Sequence, residues 1–209
     1  PGRSVPEHQR ARLEGAAERG DNDEVPRRQG RQRLAERGSL SLTDFSRRRR
    51  FGVKGSGALN WLGDQALPAN AENNQTSVTG DVLVARLAPN EALLLALDDG
   101  ENQVMDNLSH ALQDEWPANC YSVPRQDMSA WFRLSGEQSP QLMAQLCAID
   151  LRPHRFAEGC IAQTSVAHQI AIVLRRDDQS EYGLDFIVDF AAAGYLWKIL
   201  SGKATGWTE

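Results

Sequence analysis

The residues that decide the fold are WFRLSGEQSPQLMAQLC, at positions 131–147. Trp131–Gly136 is rich in aromatic and apolar side chains and ends in glycine, which is typical of a strand that closes in a tight turn. Apolar side chains then recur at spacings of three and four over Gln141–Cys147, which predicts an amphipathic helix. The stretch therefore predicts a strand, a glycine turn and a helix in succession.

An earlier stretch of the chain follows the same plan. Phe51–Gly55, FGVKG, has the pattern of a short strand that ends in glycine, and Ala58–Leu62, ALNWL, has that of an amphipathic helical turn. An acidic residue precedes each strand, Asp44 in the first case and Asp127 in the second. A glycine suits both turns because it adopts positive φ without a steric penalty. The two stretches predict a pseudo-symmetric domain built from one repeated unit.

Hairpins account for most of the remaining apolar runs. Asp81–Leu87 alternates in polarity and Ala92–Leu97 is apolar on both faces, which predicts an antiparallel pair whose second strand is central. Ala162–Leu174 predicts a second pair, with residues 170–174 buried on both faces, and Tyr182–Val188 predicts a further strand. The sheets are therefore expected to be antiparallel.

Two longer helices are predicted, over Asn102–Trp116 and over Ala191–Leu200. Pro117 ends the first of them. The fold class that follows is α+β, with antiparallel sheets, helices on one side and pseudo-repeated units. The apolar faces are predicted to carry Val104, Leu108, Ala111, Leu112 and Trp116 in the first helix, and Tyr195, Leu196, Ile199 and Leu200 in the second.

A family resemblance lies in the run Asp150–Thr164, which reads D-L-x-P-x-x-F-x-x-G-x-x-x-Q-T. Together with Trp131–Gly136 and the closing Phe186–Leu200, this run resembles the gamma subunit of heterotetrameric sarcosine oxidase. That subunit is a small relative of the folate-binding domain of the glycine-cleavage T protein. The resemblance covers roughly residues 40–207 and is strongest after Trp131. It implies the same pseudo-repeated α+β fold.

The resemblance also implies a function. The chain is expected to be a non-catalytic small subunit of a cytoplasmic oxidoreductase that demethylates sarcosine, with tetrahydrofolate as the one-carbon acceptor. The larger subunits would hold FAD, FMN, NAD and tetrahydrofolate, and this chain would dock on the alpha subunit and, through the complex, meet the beta and delta subunits. One alternative is the equivalent small subunit of N-methylglutamate dehydrogenase. Another is a free-standing folate-binding protein that supports iron–sulfur enzymes.

Length and charge bound these interpretations. The chain has 209 residues, 41% of them hydrophobic, which suffices for one domain or two closely packed subdomains. Its formal net charge of -5 argues against a general nucleic-acid surface, and no apolar run approaches the roughly 18 residues of a membrane span. Three cysteines, few and odd in number, favour free thiols in a reducing compartment.

Composition divides the chain near residue 39. Residues 1–38 are dense in charged residues and poor in apolar ones, which predicts a disordered leader; the alternative is a basic arm that reaches an acidic partner or nucleic acid. Residues 39–209 are predicted to form the gamma-like domain, with subdomains at about 40–125 and 126–209.

None of the candidate chemical motifs is complete. Gly52, Gly55 and Gly57 give G-x-x-G-x-G, which reverses the dinucleotide-binding spacing and favours a simple turn. Cys160 partly matches a K-G-C-x-G-Q-E segment of folate-binding proteins, but Glu, Ala and Thr replace its Lys, second Gly and final Glu, which favours a packed free cysteine. His154 and Cys160 have no second pair at metal-ligand spacing. We therefore predict no catalytic, cofactor-binding or metal-binding residues in this chain.

The candidate partner contacts are basic and aromatic. Arg47, Arg48, Arg49 and Arg50 form an uninterrupted run whose guanidinium groups suit bidentate pairing with carboxylates of a larger subunit. The alternative is a solvated lead-in to the next strand, with the arginine stems packed on apolar surface. Trp207 follows the last predicted helix and is the tryptophan best placed for an interface.

Overall fold

The computed structural model describes residues 40–67, 71–100, 102–114 and 117–206. Over these ranges the chain forms ten strands and four helices. In chain order they are β1 Ser41–Asp44, β2 Arg50–Lys54, α1 Ala58–Asp64, β3 Gln75–Thr79, β4 Val82–Ala88, β5 Glu91–Ala96, α2 Gln103–Asp114, β6 Tyr121–Val123, β7 Ser129–Ser135, α3 Ser139–Met143, β8 Ile161–Val166, β9 Gln169–Arg175, β10 Gly183–Asp189 and α4 Phe190–Gly206.

The strands form two five-stranded sheets in which every pairing is antiparallel. The first sheet has the order β3-β4-β5-β2-β6, and the second, read from the corresponding edge, has the order β8-β9-β10-β7-β1. The two orders are equivalent under the substitution of β7 for β2, β8 for β3, β9 for β4 and β10 for β5. The predicted repetition of one unit is thus visible in the topology.

Glycine turns mark the same point in the two units. Gly55 follows β2 at φ +126° and Gly136 follows β7 at φ +116°, in the left-handed region that favours glycine. The Gly55 N–H donates to Asn90 O just before β5, and the Gly136 N–H donates to Tyr182 O just before β10, both at 2.8 Å. The local sequence thus explains why the chain leaves each strand for a helix at these residues.

When β1–α2 is taken as the first repeated unit and β6–α4 as the second, the first strand of each unit belongs to the sheet of the other unit. β1 pairs with β7, with Ser41 opposite Ser135, and β6 pairs with β2, with Gly52 opposite Val123. At the opposite edges, Thr76 of β3 donates to Gly159 O, and Ile161 of β8 donates to Asn74 O, each at 2.8 Å. This exchange ties the two halves together along both edges.

Three layers of apolar side chains hold the sheets and helices together. Successive residues of a strand point to opposite faces, so each sheet buries two sets of side chains. The cluster between the sheets joins Leu83, Leu93 and Leu95 of the first to Trp131 and Ile187 of the second. The outer face of the first sheet packs on α1 and α2, and that of the second packs on α3 and α4. The predicted class, α+β with antiparallel sheets and helices on one side of each, is confirmed.

Several predicted details of the helices are wrong. In α2, Val104 is 41% exposed, while Met105 and Leu108 are buried. In α4, Tyr195 is 47% exposed, and the buried face is carried by Ala193, Leu196 and Leu200. Val104 and Met105 are both apolar, as are Tyr195 and Leu196, so the pattern alone did not decide which of two neighbours faces the sheet. Trp116 lies outside the described residues.

Two further boundaries differ from prediction. The helix expected over Gln141–Cys147 spans Ser139–Met143, because Pro140 is well accommodated in a first helical turn. Cys147 instead forms an isolated β-bridge with Val166. Ile170, expected to be buried on both faces, is 86% exposed because it follows directly on the β8–β9 turn. No helix within the described ranges is long and apolar enough to cross a membrane.

Candidate functional site

The glycines at positions 52–57 build a strand-to-helix turn. A side chain at Gly52 would lie 2.9 Å from Val123 of the neighbouring strand, so this position needs glycine for close packing of β2 on β6. The Gly57 N–H donates to Asn119 O at 3.0 Å, and the Ala58 N–H donates to Gly55 O at 3.0 Å. The backbone N–H groups of Gly57 and Ala58 are therefore engaged within the chain, which agrees with the interpretation of this motif as a turn.

The run Arg47–Arg50 divides into inward- and outward-facing side chains. Arg47 is exposed, and Arg49 pairs with Asp106 at the surface. The Arg48 Nε lies 2.6 Å from Asp99 Oδ1, and its guanidinium stacks 3.7 Å from the centre of the Phe45 ring. Arg47 and Arg49 are thus the members of the run that remain open to a partner.

Arg50 is buried and acts as a clamp between two loops. Its guanidinium donates to five backbone carbonyls on the segments that lead into β2 and β7, namely those of Ser46, Arg48, Arg125, Gln126 and Ser129. Desolvation lowers the pKa of Arg50 to about 10, partly opposed by the charges of Asp44 and Asp127. Because its donors bind carbonyls of this chain and the residue is buried, Arg50 does not face a partner.

A second buried charge cluster is centred on Asp185 of β10. Its carboxylate accepts from Trp131 Nε1 at 2.9 Å, Arg133 Nη1 at 3.0 Å and Arg176 Nε at 3.0 Å. The Asp185 side chain is 1% exposed and that of Arg133 is 7% exposed. Desolvation lowers the pKa of Arg133, and the charge of Asp185 opposes that effect. No sequence pattern signals this cluster, because its members come from β7, β10 and the residue after β9.

The run Asp150–Thr164 that carries the family resemblance forms a loop held by hydrogen bonds from the rest of the second half, followed by most of β8. Leu151 and Phe156 are buried in the core beneath α3 and α4. Tyr182 Oη donates to Leu151 O, and Arg175 Nη1 donates to Phe156 O at 2.6 Å. Gly159 has φ +81°, which explains the glycine of the motif. Each of these motif residues thus has a structural reason.

The three cysteines are free thiols. Cys160 is half-buried and packs against the core of the second sheet. Burial raises the pKa of the Cys120 thiol, which makes that group a poor nucleophile. Among the described residues, no group of three or more His, Cys, Asp or Glu side chains is arranged to hold a metal ion.

A cavity of about 530 Å³ lies between α4 and the end of the α3 segment. Gln145 and Leu146 line one wall, His168 on the β8–β9 turn lines another, and Tyr195, Ile199 and Lys203 of α4 line a third. The Lys203 ammonium donates to Gln145 Oε1 at 3.1 Å across the cavity.

This cavity was not predicted, because Tyr195 was expected on the buried face of the last helix and that helix was expected to end at Leu200, whereas it continues to Gly206. The signal that was available is the spacing of four between Tyr195, Ile199 and Lys203, which puts them on one helical face. Trp207 and the leader at residues 1–38 lie outside the described residues.

The structural class is a pseudo-symmetric α+β domain in which two antiparallel sheets stack between helices. Neither a family model nor a curated protein sequence matches the chain. Among solved structures, it is similar to a chain of the heterotetrameric sarcosine oxidase from Corynebacterium sp. U-96 in complex with pyrrole 2-carboxylate. The TM-score is 0.67 at 17% sequence identity, over 85% of this chain and 90% of that chain. At this identity the similarity establishes a shared fold.

Proposed function

We propose that the chain is the small, non-catalytic subunit of a multi-subunit flavin enzyme that demethylates sarcosine oxidatively. The observation that carries the proposal is the shared fold with a chain of heterotetrameric sarcosine oxidase over nearly the whole of both chains. The two coverages are similar, so the matched chain is of similar length, as expected for corresponding subunits. The sequence run Asp150–Thr164, which resembles the gamma subunit of that enzyme, supports the same assignment.

The arrangement of charged groups favours a structural role for this chain. Asp185 and Arg133 are sealed between the sheets, and Arg50 is bound to backbone carbonyls. Such groups stabilise the fold but do not reach a substrate. In this proposal the larger subunits hold FAD, FMN, NAD and tetrahydrofolate, and the present chain binds the alpha subunit of a cytoplasmic complex that also contains beta and delta subunits.

The test is reconstitution with the flavin-enzyme subunits encoded beside this chain. A subunit that binds only the folded partner stabilises that partner by mass action. We expect the chain to co-purify with the large subunits in fixed ratio, and its omission to lower their yield or melting temperature more than their chemical rate. The chain alone is expected to show no flavin absorbance and no oxidation of sarcosine. Stoichiometric flavin on the isolated chain, or no association with those subunits, would refute the proposal.

Substrate trials on the same complex separate the related assignments. Turnover of N-methylglutamate in place of sarcosine would assign the chain to N-methylglutamate dehydrogenase. The free-standing folate-binding alternative predicts a monomer whose activity depends on Cys160. Loss of that activity in Cys160→Ser at an unchanged melting temperature would favour it.

A further inference from the structure

Helix α4 exposes two aromatic side chains that the rest of the described chain only half covers. Ala193, Leu196 and Leu200 bury one side of the helix against the second sheet. Tyr195 is 47% exposed beside the cavity, and Phe190, about 140° around the helix from it, is 50% exposed. Aromatic side chains are enriched at protein interfaces, where their large contact area is gained at a small entropic cost.

The charge of this helix sets it apart from the rest of the protein. Over Phe190–Gly206 the sequence carries two lysines, Lys198 and Lys203, and no carboxylate, whereas the whole chain carries a formal charge of -5. Helix α2 occupies the equivalent place in the other unit and has the opposite charge, with Asp106 and Asp114 and no Lys or Arg. The two repeated units therefore present helices of opposite charge, and α4 is complementary to an acidic surface.

The cavity beside α4 combines apolar walls with an ammonium group at its rim. Leu146 and Ile199 supply apolar walls, and Lys203 supplies the positive charge. The other polar lining residues are Gln145, Ser165, His168 and Tyr195, and among the described residues no carboxylate lines the cavity. Its volume of about 530 Å³ lies within the range of roughly 300–1,000 Å³ that is usual for binding pockets. The bond from Lys203 to Gln145 holds the ammonium at this rim.

We propose that the cavity and the exposed face of α4 form the docking site for an acidic segment of the large subunit, which inserts an apolar side chain beside Tyr195. This inference rests on the proposed function, since it takes the occupant from the same complex. The charge and shape of the site argue for this occupant, because the apolar walls favour a hydrophobic anchor and the two lysines favour flanking carboxylates. Partly exposed charges of this kind act mainly on the association rate and on partner selection.

The experiment measures association of the full chain with the co-expressed large subunit. The test variants are Tyr195→Asp and the double variant Lys198→Glu/Lys203→Glu. The matched control is Val104→Asp, which places the same charge on an exposed apolar position of the repeat-related helix α2. All four substituted residues are exposed, so the melting temperature of each isolated variant should stay close to that of the wild type.

We expect each test variant to bind the large subunit at least about tenfold more weakly than the wild type, and Val104→Asp to bind like the wild type. Wild-type affinity should also fall with added salt, whereas that of the double variant should not, because salt screens an attraction in the former and a repulsion between like charges in the latter.

The outcomes separate the docking site from the function. If the wild type assembles and the α4 variants assemble equally well, the docking site is wrong and the proposed function stands. Equal loss in Val104→Asp would also overturn the site, because the effect would not be specific to α4. If the wild type does not assemble with the flavin subunits, both proposals fail. A self-associated wild-type chain that α4 substitutions dissociate would assign the face to a second copy and overturn the inference.

Discussion

Replacing Asp185 by asparagine is expected to destabilise the fold by about 3–5 kcal/mol, the usual cost of leaving a buried partner charge uncompensated. Arg133 has a side chain that is only 7% exposed, so its charge cannot turn to water when the carboxylate is removed. The side chain of Arg176 is 18% exposed and can be rehydrated more easily. Asparagine has nearly the volume of aspartate and keeps one oxygen that can accept from Trp131 Nε1. The loss of stability therefore measures the removal of the charge and not the creation of a cavity.

The assay is thermal and urea unfolding of the purified chain. For a domain of this size, each kcal/mol lowers the melting temperature by about 2–4 °C, so the expected decrease is roughly 6–20 °C. The urea midpoint should fall while the slope m is unchanged, since the surface exposed on unfolding is the same. Adding Arg133→Met should recover part of the loss, because the stranded charge is then removed.

The control is Asp150→Asn. Asp150 pairs with Arg152 at 2.6 Å, but both side chains are exposed, 36% and 61% respectively. The short contact holds the pKa of Asp150 well below its usual range, yet solvent screens the pair and its removal should change the melting temperature little. A shift in Asp185→Asn no larger than that in Asp150→Asn would show that the buried cluster is not under electrostatic constraint.

Three further predictions concern single residues. Gly55→Ala should destabilise the fold by about 1–3 kcal/mol, because φ is +126° and the new Cβ would overlap Asn119 O. The control Gly63→Ala in α1 meets no atom and should stabilise the fold by about 0.5–1 kcal/mol. Equal melting temperatures for the two variants would contradict this. Burial raises the pKa of the Tyr182 hydroxyl, so the contribution of this group to the free energy of unfolding is complete below about pH 10 and falls at higher pH, where the tyrosine ionises first in the unfolded chain. Tyr182→Phe should therefore flatten the decrease in stability at alkaline pH. An unchanged profile of stability against pH would disprove this linkage. Cys160→Ser should cost about 1–2 kcal/mol in urea unfolding and leave partner assembly unchanged, and lost assembly at full stability would contradict a packing role.

The part of the structure that the sequence predicted well is local. The hairpin of β4 and β5 and the turns at Gly55 and Gly136 follow from alternating polarity and from the freedom of glycine at positive φ. The repeated unit was visible for the same reason, since each of its members is signalled within a few residues. Of the predicted partner contacts, Arg50 faces inward, whereas Arg47 and Arg49 are exposed.

Burial on a particular side was decided by tertiary packing. Val104 and Tyr195 fit the apolar period of their helices, yet both are exposed because the sheets pack against the adjacent Met105 and Leu196. Hydrophobic periodicity defines a face only to within about one residue, or roughly 100° of rotation. The cavity beside α4 was not predicted for the same reason, because it exists only if the rest of the chain leaves the Tyr195 side of the helix uncovered.

The sequence by itself determined most of the secondary-structure units, their repetition and the α+β class, because these arise from contacts within a few residues. The short strands β1, β3 and β6 were not predicted. Only the tertiary structure decided the exchange of β1 and β6 between sheets, the clamp at Arg50 and the cluster at Asp185. Arg133 and Asp185 lie 52 residues apart, and Arg50 and Ser129 lie 79 apart. No local pattern encodes such pairings, because the attraction between the partners offsets the cost of desolvation only where the folded chain excludes water, which requires both halves of the chain to be in place.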